Sequence, residues 1–199
     1  MFEEEASRLE QVRREATLDP LTGLANRAYF MNRLAIALND EDAPTRGSLI
    51  MLRLADLAGI NRCAGRETAD EVLRRTGAAL RELAEKNPGA EAARLNGADF
   101  SLLLPGQNDP QPACQQLLAA LQSLVAAQLL PENAIGHLGS SVYQHNEPVP
   151  QLLARVDAAL AAGELQGPLA AQHVAEQSHC SASTQADWRS ILTDALKDQ

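Results

Sequence analysis

The sequence has few aromatic residues, a deficit of cationic residues and no long apolar run. Aromatics make up 3% of the 199 residues, which disfavours a surface on which nucleic-acid bases stack. Lys and Arg number 17 against 26 Asp and Glu, and the resulting net charge of −9 argues against wrapping nucleic acid through phosphate contacts. No apolar run reaches the roughly 18–20 residues that span a bilayer, and no secretory signal is visible. We therefore expect no nucleic-acid partner and no direct membrane insertion of this chain.

The residues that commonly bind metals are scattered along the chain. The three cysteines fit neither a disulfide framework nor a zinc site, and the four histidines lack metal-like spacing. Glycine-rich phosphate loops of the Walker or dinucleotide type are missing. These observations predict reduced thiols and no cofactor held by the following side chains: Cys63, Cys114, Cys180, His137, His145, His173 and His179.

Apolar periodicity predicts helices that alternate with strands. Asp19-Pro20 ends an N-terminal helix, and Asn26 caps the next one. Asn96-Gly97 between two apolar runs is a strong hairpin signal, because both residues tolerate positive φ. The order predicts an α+β fold with helices packed on a mixed sheet. After the helix at Asn26, the predicted elements are a strand at 48–54, a helix at 67–86, hairpin strands at 92–95 and 100–104, a helix at 112–128, a strand at 135–143 and a helix at 149–162.

The two ends of the chain differ in pattern from the middle. Phe2, Leu9 and Ala16 repeat every seven residues, which predicts a short heptad stripe; a solvated helical extension is the alternative. Residues 176–186 have the composition of a linker. An amphipathic helix with Trp188 and Leu192 on one face is predicted to follow it. We therefore divide the chain into a helix at 1–17, a domain at 18–175, and a linker with a further helix at 176–199.

Two passages carry a family resemblance. The run DPLTGLANR at residues 19–27 resembles the opening motif of diguanylate cyclase (GGDEF) domains, and RLNGADF at residues 94–100 resembles their signature hairpin in altered form. Matching segments at 60–73 and 156–160 lie in the family's order. The resemblance implies a palm-like mixed or antiparallel sheet flanked by helices, in agreement with the predicted order of elements.

The resemblance also implies a chemistry that this chain has lost. Active members condense two GTP molecules into cyclic di-GMP across a homodimer, using Mg²⁺ held by carboxylates. At the family's first metal-binding aspartate this chain has Arg53, and at the second carboxylate it has Ala98. The neighbouring acidic position survives as Asp99. The resemblance therefore implies no metal, no cofactor and no catalytic residue.

The phosphate-binding and guanine-binding positions of the family differ in how well they are kept. The Lys and Arg that hold the triphosphate are matched by Glu164 and Pro168, which repel phosphate or offer no donor. The inhibitory product-binding pair corresponds to Asn87 and Ala90, so that site is expected to be absent. Asn61 and Asp70 match the guanine-reading pair. Either they retain a contact with the base, or they serve only a local turn and a helix N-terminus.

The flanking segments resemble parts of a larger receptor. Residues 185–196 resemble the first helix of an EAL domain, and the N-terminal heptads resemble a signalling helix that follows a HAMP module. Together with the degenerate hairpin, this is similar to HAMP–GGDEF–EAL cyclic di-GMP receptors of the LapD type. The resemblance implies the cytoplasmic portion of a bacterial inner-membrane protein. Its partners would be the adjacent EAL domain and the signalling helix, with a homodimer in the full-length receptor.

The function expected from this resemblance is that of a catalytically inactive GGDEF regulatory module. It would relay a signal between the signalling helix and the EAL domain. Three alternatives stay open at this point. One is a GTP-binding allosteric domain that activates an adjacent cyclic di-GMP phosphodiesterase; the others are a cyclase with rearranged metal ligands and a dimerisation scaffold.

Overall fold

A six-stranded mixed sheet with helices on both faces forms the fold. The computed structural model describes residue 8 and residues 12–131, 135–166 and 171–174. The strands are β1 (Ala25–Asn26), β2 (Arg46–Arg53), β3 (Glu91–Arg94), β4 (Asp99–Pro105), β5 (His137–Gln144) and β6 (Ala171–Val174). The helices are α1 (Arg27–Asn39), α2 (Leu57–Ala64), α3 (Arg66–Lys86), α4 (Gln111–Ala126) and α5 (Val149–Gln166). None of these described helices is both long and apolar enough to cross a bilayer.

The central strand β2 organises the sheet. The strands lie in the order β1-β3-β4-β2-β5-β6, and β2 pairs antiparallel with both β4 and β5. The short edge strands β1 and β6 pair in parallel with β3 and β5. This arrangement confirms the predicted α+β class with a mixed sheet. It also places the last residue of β2, Arg53, opposite Asp99 on β4 and His137 on β5.

Alternation along the strands produces two apolar cores, because successive side chains point to opposite faces of a sheet. Ile50 and Leu52 face a core shared with α3 and α4. Leu49 and Met51 face a second core shared with α1 and α5. The burial of β2 on both faces explains its nearly continuous apolar sequence.

Several sequence predictions are confirmed with small shifts of boundary. Asn26 caps α1, and its side-chain oxygen accepts a hydrogen bond from the Tyr29 amide at 2.9 Å. The turn after Asp19 forms because its carboxylate accepts from the Thr22 amide at 2.9 Å. The helix predicted at 67–86 begins at Arg66, and the predicted hairpin is present.

Other features of the fold differ from the prediction. The hairpin turn does not use positive φ at Asn96 or Gly97; instead four residues, 95–98, join the strands. The sequence analysis also missed α2, β1 and β6, which are too short to show a clear period. Of the N-terminal heptad positions, Ala16 lies in the helical residues 12–17 and is exposed, whereas Phe2 and Leu9 lie outside the described residues. The predicted linker and final helix at 176–199 also lie outside them.

The close approach of α5 to β5 requires glycine at position 139. A Cβ at Gly139 would lie 2.6 Å from the carbonyl oxygen of Val156 and would also overlap the backbone of Leu160. We expect Gly139→Ala to lower the free energy of unfolding by about 1–3 kcal/mol, because α5 has to move away from the sheet. Urea unfolding followed by circular dichroism measures this loss.

Gly97→Ala is the matched control for this substitution. A Cβ at Gly97 meets no atom within 4 Å, and its φ is not positive. The control should leave stability unchanged or raise it by up to about 1 kcal/mol. Equal losses in the two variants would contradict the close packing of α5 on β5.

Candidate functional site

Three residues that the resemblance places at a metal position, in the signature hairpin and at a phosphate position meet at one end of the sheet. Arg53 is the last residue of β2, and Asp99 is the first residue of β4, directly opposite it in the antiparallel register. Glu164 lies in the last turn of α5, which packs over β5 and β2. The fold therefore brings together three residues that are distant in sequence.

The Arg53 guanidinium binds both acidic side chains. Its Nε lies 2.7 Å from Asp99 Oδ1, and its Nη1 lies 3.0 Å from Glu164 Oε1. The side chains of Arg53, Asp99 and Glu164 are 41%, 18% and 39% exposed. The hydrogen bond to Asp99, and then that to Glu164, raise the pKa of the Arg53 guanidinium above its ordinary value despite partial burial. We call this cluster of Arg53, Asp99 and Glu164 the Arg53 bridge.

The hairpin turn is tied to the same bridge. The second carboxylate oxygen of Asp99 accepts a hydrogen bond from Asn96 Nδ2 at 3.3 Å. The carbonyl oxygen of Ala98 accepts one from the Leu54 amide at 3.0 Å, while its methyl side chain offers no ligand atom. Both oxygens of Asp99 are thus already engaged by groups of the protein.

A divalent metal does not fit these residues. Mg²⁺ requires oxygen ligands in near-octahedral geometry, usually with one or two carboxylates. Here a guanidinium lies between the two carboxylates, and Ala98 supplies no third one. In the part of the chain that the structure describes, no group of three or more His, Cys, Asp or Glu side chains is arranged to hold a metal ion.

The two positions that match the guanine-reading pair lie on neighbouring helices. Asn61 is the fifth residue of α2; its side chain is exposed and makes no hydrogen bond with the described residues. It does not cap a helix, since Asp56 caps α2 by accepting from the Gly59 amide at 2.9 Å. Asp70 is the fifth residue of α3, and its Oδ2 lies 4.0 Å from Arg66 Nε. Asp70 therefore lies just beyond the first turn of α3, a position that is compatible with either alternative.

Asn87 and Ala90, the positions of the inhibitory product-binding pair, do not join the Arg53 bridge. Pro168 lies outside the described residues. Asn87 follows the end of α3, and its side-chain Nδ2 donates to the Leu83 carbonyl at 2.7 Å. The Ala90 amide donates to the Asn87 carbonyl at 3.1 Å, so these two residues close a local turn.

A small cavity adjoins the Arg53 bridge. It has a volume of about 210 Å³, whereas pockets for drug-sized ligands typically reach ~300–1,000 Å³. Its wall includes thioether and aliphatic side chains from helices α1 and α5 and from the sheet. The lining residues are Arg27, Met31, Met51, Arg53, Leu95, Asn96, Asp99, Leu153 and Asp157.

A second ion pair, which the sequence analysis missed, connects the opening motif to the hairpin. Arg94 Nη1 lies 3.3 Å from Asp19 Oδ2, and their side chains are 14% and 19% exposed. Arg94 Nη2 also donates to the Gly97 carbonyl oxygen at 2.8 Å. The sequence does contain a signal for this pair, because Asp19 belongs to the first matched motif and Arg94 belongs to the second. The pair fixes the turn after the N-terminal helical segment against the hairpin.

The environment of Asp19 favours its charged form. Partial burial raises the pKa of the carboxyl group, but hydrogen bonds from Thr22 and the charge of Arg94 outweigh it. The pKa of Asp19 is therefore lowered from its ordinary value.

Comparison with known sequences places most of the chain in one family. Residues 16–168 match the family model described as diguanylate cyclase, GGDEF domain. The RNase E specificity factor CsrD of Escherichia coli (strain K12) is 29% identical over 168 residues. That match covers 82% of this chain but 26% of CsrD, so the chain spans a minor part of that relative.

Solved structures share the fold, and two of them are the following. The coiled coil and GGDEF domain of DgcB from Caulobacter crescentus, in complex with c-di-GMP, matches at a TM-score of 0.72 and 27% identity, over 87% of this chain and 93% of that one. The S helix–GGDEF–EAL structure of Vibrio cholerae LapD, bound to c-di-GMP, matches at a TM-score of 0.76 and 19% identity, over 100% of this chain and 46% of that one. The likeness to LapD shows the fold alone.

The Asp19–Arg94 ion pair generates a pH-dependent prediction. Asp19→Asn removes the negative charge and should lower the free energy of unfolding at pH 7 by ~1–3 kcal/mol. Because the folded-state pKa of Asp19 is lowered, its contribution is complete above the unfolded pKa of about 3.9. It is lost as the pH falls through the folded pKa. Urea unfolding of both proteins from pH 7 to pH 3 should show the difference shrinking on the acid side.

Glu71→Gln is the control for Asp19→Asn. Glu71 pairs with Arg75 at 2.7 Å on the exposed face of α3, one helical turn away. Exposed pairs at this spacing contribute little to stability, so this variant should unfold nearly as the wild type does. A difference for Asp19→Asn that is the same at pH 7 and pH 3 would contradict the proposed charge interaction.

Proposed function

This chain belongs to the diguanylate cyclase GGDEF family, and we propose that it is a catalytically inactive regulatory domain of that family. The observation that carries the proposal is the Arg53 bridge. The one cation at the family's metal position is bonded to two carboxylates of the protein itself. It is therefore not free to neutralise a nucleotide.

Electrostatics supports this proposal. Phosphoryl transfer needs cations where charge develops on the phosphate oxygens. Glu164 lies at a position where the family places a cation, and with Asp99 it outweighs the single positive charge of Arg53. A triphosphate brought to this end of the sheet would meet net negative charge, beside residues that do not fit a bridging metal ion.

The connections of the hairpin support a relay role. The Asp19–Arg94 ion pair joins it to the turn that follows the N-terminal helical segment, and the Arg53 bridge joins it to the last turn of α5. We infer that the chain is part of a HAMP–GGDEF–EAL cyclic di-GMP receptor, between a signalling helix and an EAL domain. The S helix–GGDEF–EAL arrangement of LapD supports this inference. Relay would be a shift of population between two arrangements of these parts.

In this proposal the domain works on the cytoplasmic side of a bacterial inner membrane. Its partners are the signalling helix and EAL domain of the same protein, and the full-length receptor is a homodimer. No cofactor is required for this role.

The absence of cyclase activity is directly testable. Purified chain incubated with GTP and Mg²⁺ or Mn²⁺ should form no cyclic di-GMP above a protein-free blank, measured by chromatography with mass detection. An active cyclase of the family, assayed in parallel, confirms that the conditions support turnover. Formation of cyclic di-GMP that is abolished by Asp99→Asn would show that the domain is a cyclase after all.

A GTP-binding allosteric domain that activates an adjacent phosphodiesterase is the second candidate. The observation that favours it is the exposed Asn61 amide, which has no hydrogen-bond partner among the described residues. An amide can pair with the edge of a guanine base.

Calorimetry with GTP separates the two candidates. The inactive relay predicts binding weaker than millimolar, because most nucleotide affinity comes from phosphate contacts and the described site offers a paired cation. The GTP sensor predicts tighter binding that Asn61→Ala weakens by about 10-fold or more, which is ~1.4 kcal/mol. Gln111→Ala, at the exposed N-terminus of α4, serves as the control that should leave any binding unchanged.

A further inference from the structure

We propose that Arg53 acts as a permanent internal cation, which replaces a bound divalent ion and holds the hairpin against the last turn of α5. The inference deepens the proposed function and rests on it in one respect, namely that no metal binds at this end of the sheet. It assigns Arg53 a structural role, in addition to the loss of a metal ligand at this position. The geometry of the hairpin and of α5 would then be independent of metal and nucleotide.

The first support is the topology of the Arg53 bridge. Arg53 lies 46 residues before Asp99 and 111 residues before Glu164 in sequence. Pairs such as Arg75 with Glu71 join residues of one helix, and the pair of Arg94 with Asp19 joins two segments. The Arg53 bridge instead joins a central strand, a hairpin strand and a helix from the opposite half of the chain.

The second support is the shape of the guanidinium. Arginine presents its N–H donors in a rigid planar fork and remains charged at all physiological pH values. Nε is directed to Asp99 and Nη1 to Glu164, so different nitrogens serve the two carboxylates. A hard metal ion between carboxylates would bind both in a similar way, although with more ligands.

The third support is that the sheet positions the cation in advance. Arg53 and Asp99 are partners in the β2–β4 register, and the Leu54 amide bonds the Ala98 carbonyl beside them. The backbone therefore places the two side chains close together before their charges interact. A tethered cation of this kind is present at any concentration of free metal, whereas a bound ion stabilises only in proportion to its occupancy.

Hydrogen exchange tests whether Arg53 couples the two elements. Arg53→Gln should raise amide exchange at least about 3-fold in both the hairpin at 95–99 and the end of α5 at 160–166, since local opening sets these rates. Glu164→Gln should raise exchange in the hairpin as well as in α5. Arg75→Gln, which breaks a pair within α3, is the control and should affect α3 alone. Changes confined to the substituted element would overturn the proposal.

Charge reversal tests whether Arg53 occupies the place of a cation. Arg53→Asp puts a third carboxylate beside Asp99 and Glu164, so its Tm should be low with chelator and rise by at least about 3 °C with saturating Mn²⁺. The wild type and Arg53→Ala should show no such rise. A saturable rise in the wild type, or none in a folded Arg53→Asp variant, would overturn the proposal. If Arg53→Asp does not fold, the exchange experiment decides alone.

The two proposals fail in different ways. Cyclic di-GMP formed by the wild type would refute the inactive role and the replacement of a metal ion by Arg53. The coupling of the hairpin to α5 would still hold if Arg53→Gln raised exchange in both elements. If the exchange changes stay within the substituted element and no cyclic di-GMP forms, the proposed coupling through Arg53 is refuted. The inactive role is then retained.

Discussion

The contact between Arg53 and its two carboxylates lies where the strands and the last helix of the domain converge. A buried or half-buried carboxylate needs a compensating charge, because removal from water penalises the ionised form. Arg53 supplies that charge to Asp99, and Asp99 in turn accepts a hydrogen bond from Asn96 in the turn. The conformation of the hairpin therefore depends on a cation that the chain itself carries.

The same contact explains why the altered positions belong together. An arginine at the family's metal position would be unfavourable beside a bound cation, and a glutamate at its phosphate position would be unfavourable beside a nucleotide. Paired with each other, the two changes are compatible, since Arg53 Nη1 lies 3.0 Å from Glu164 Oε1. In this proposal, the two changes together replace a bound metal ion and a bound phosphate by an ion pair within the protein.

A second ion pair, between Asp19 and Arg94, connects the start of the domain to the hairpin. Asp19 and Arg94 are more buried than the pairs on α3, and they connect the end of the N-terminal helical segment to β3. The close packing of α5 on β5, with glycine at position 139, joins the last described helix to the sheet. The hairpin is thus held by ion pairs on two sides, through Asp19 and Arg94 on one and through Arg53 and Glu164 on the other.

The local sequence determined much of the fold by itself. The apolar period of β2, the capping oxygen of Asn26 and the Asn96-Gly97 breaker each act over a few residues, so each could be recognised without tertiary knowledge. Short elements such as β1 and β6 could not, because two to four residues carry no measurable period. The substitutions at Arg53, Ala98 and Glu164 were visible in the sequence as separate losses. Only the tertiary structure decided that Arg53 and Glu164 are partners, because side chains 111 residues apart meet only when α5 packs across the sheet.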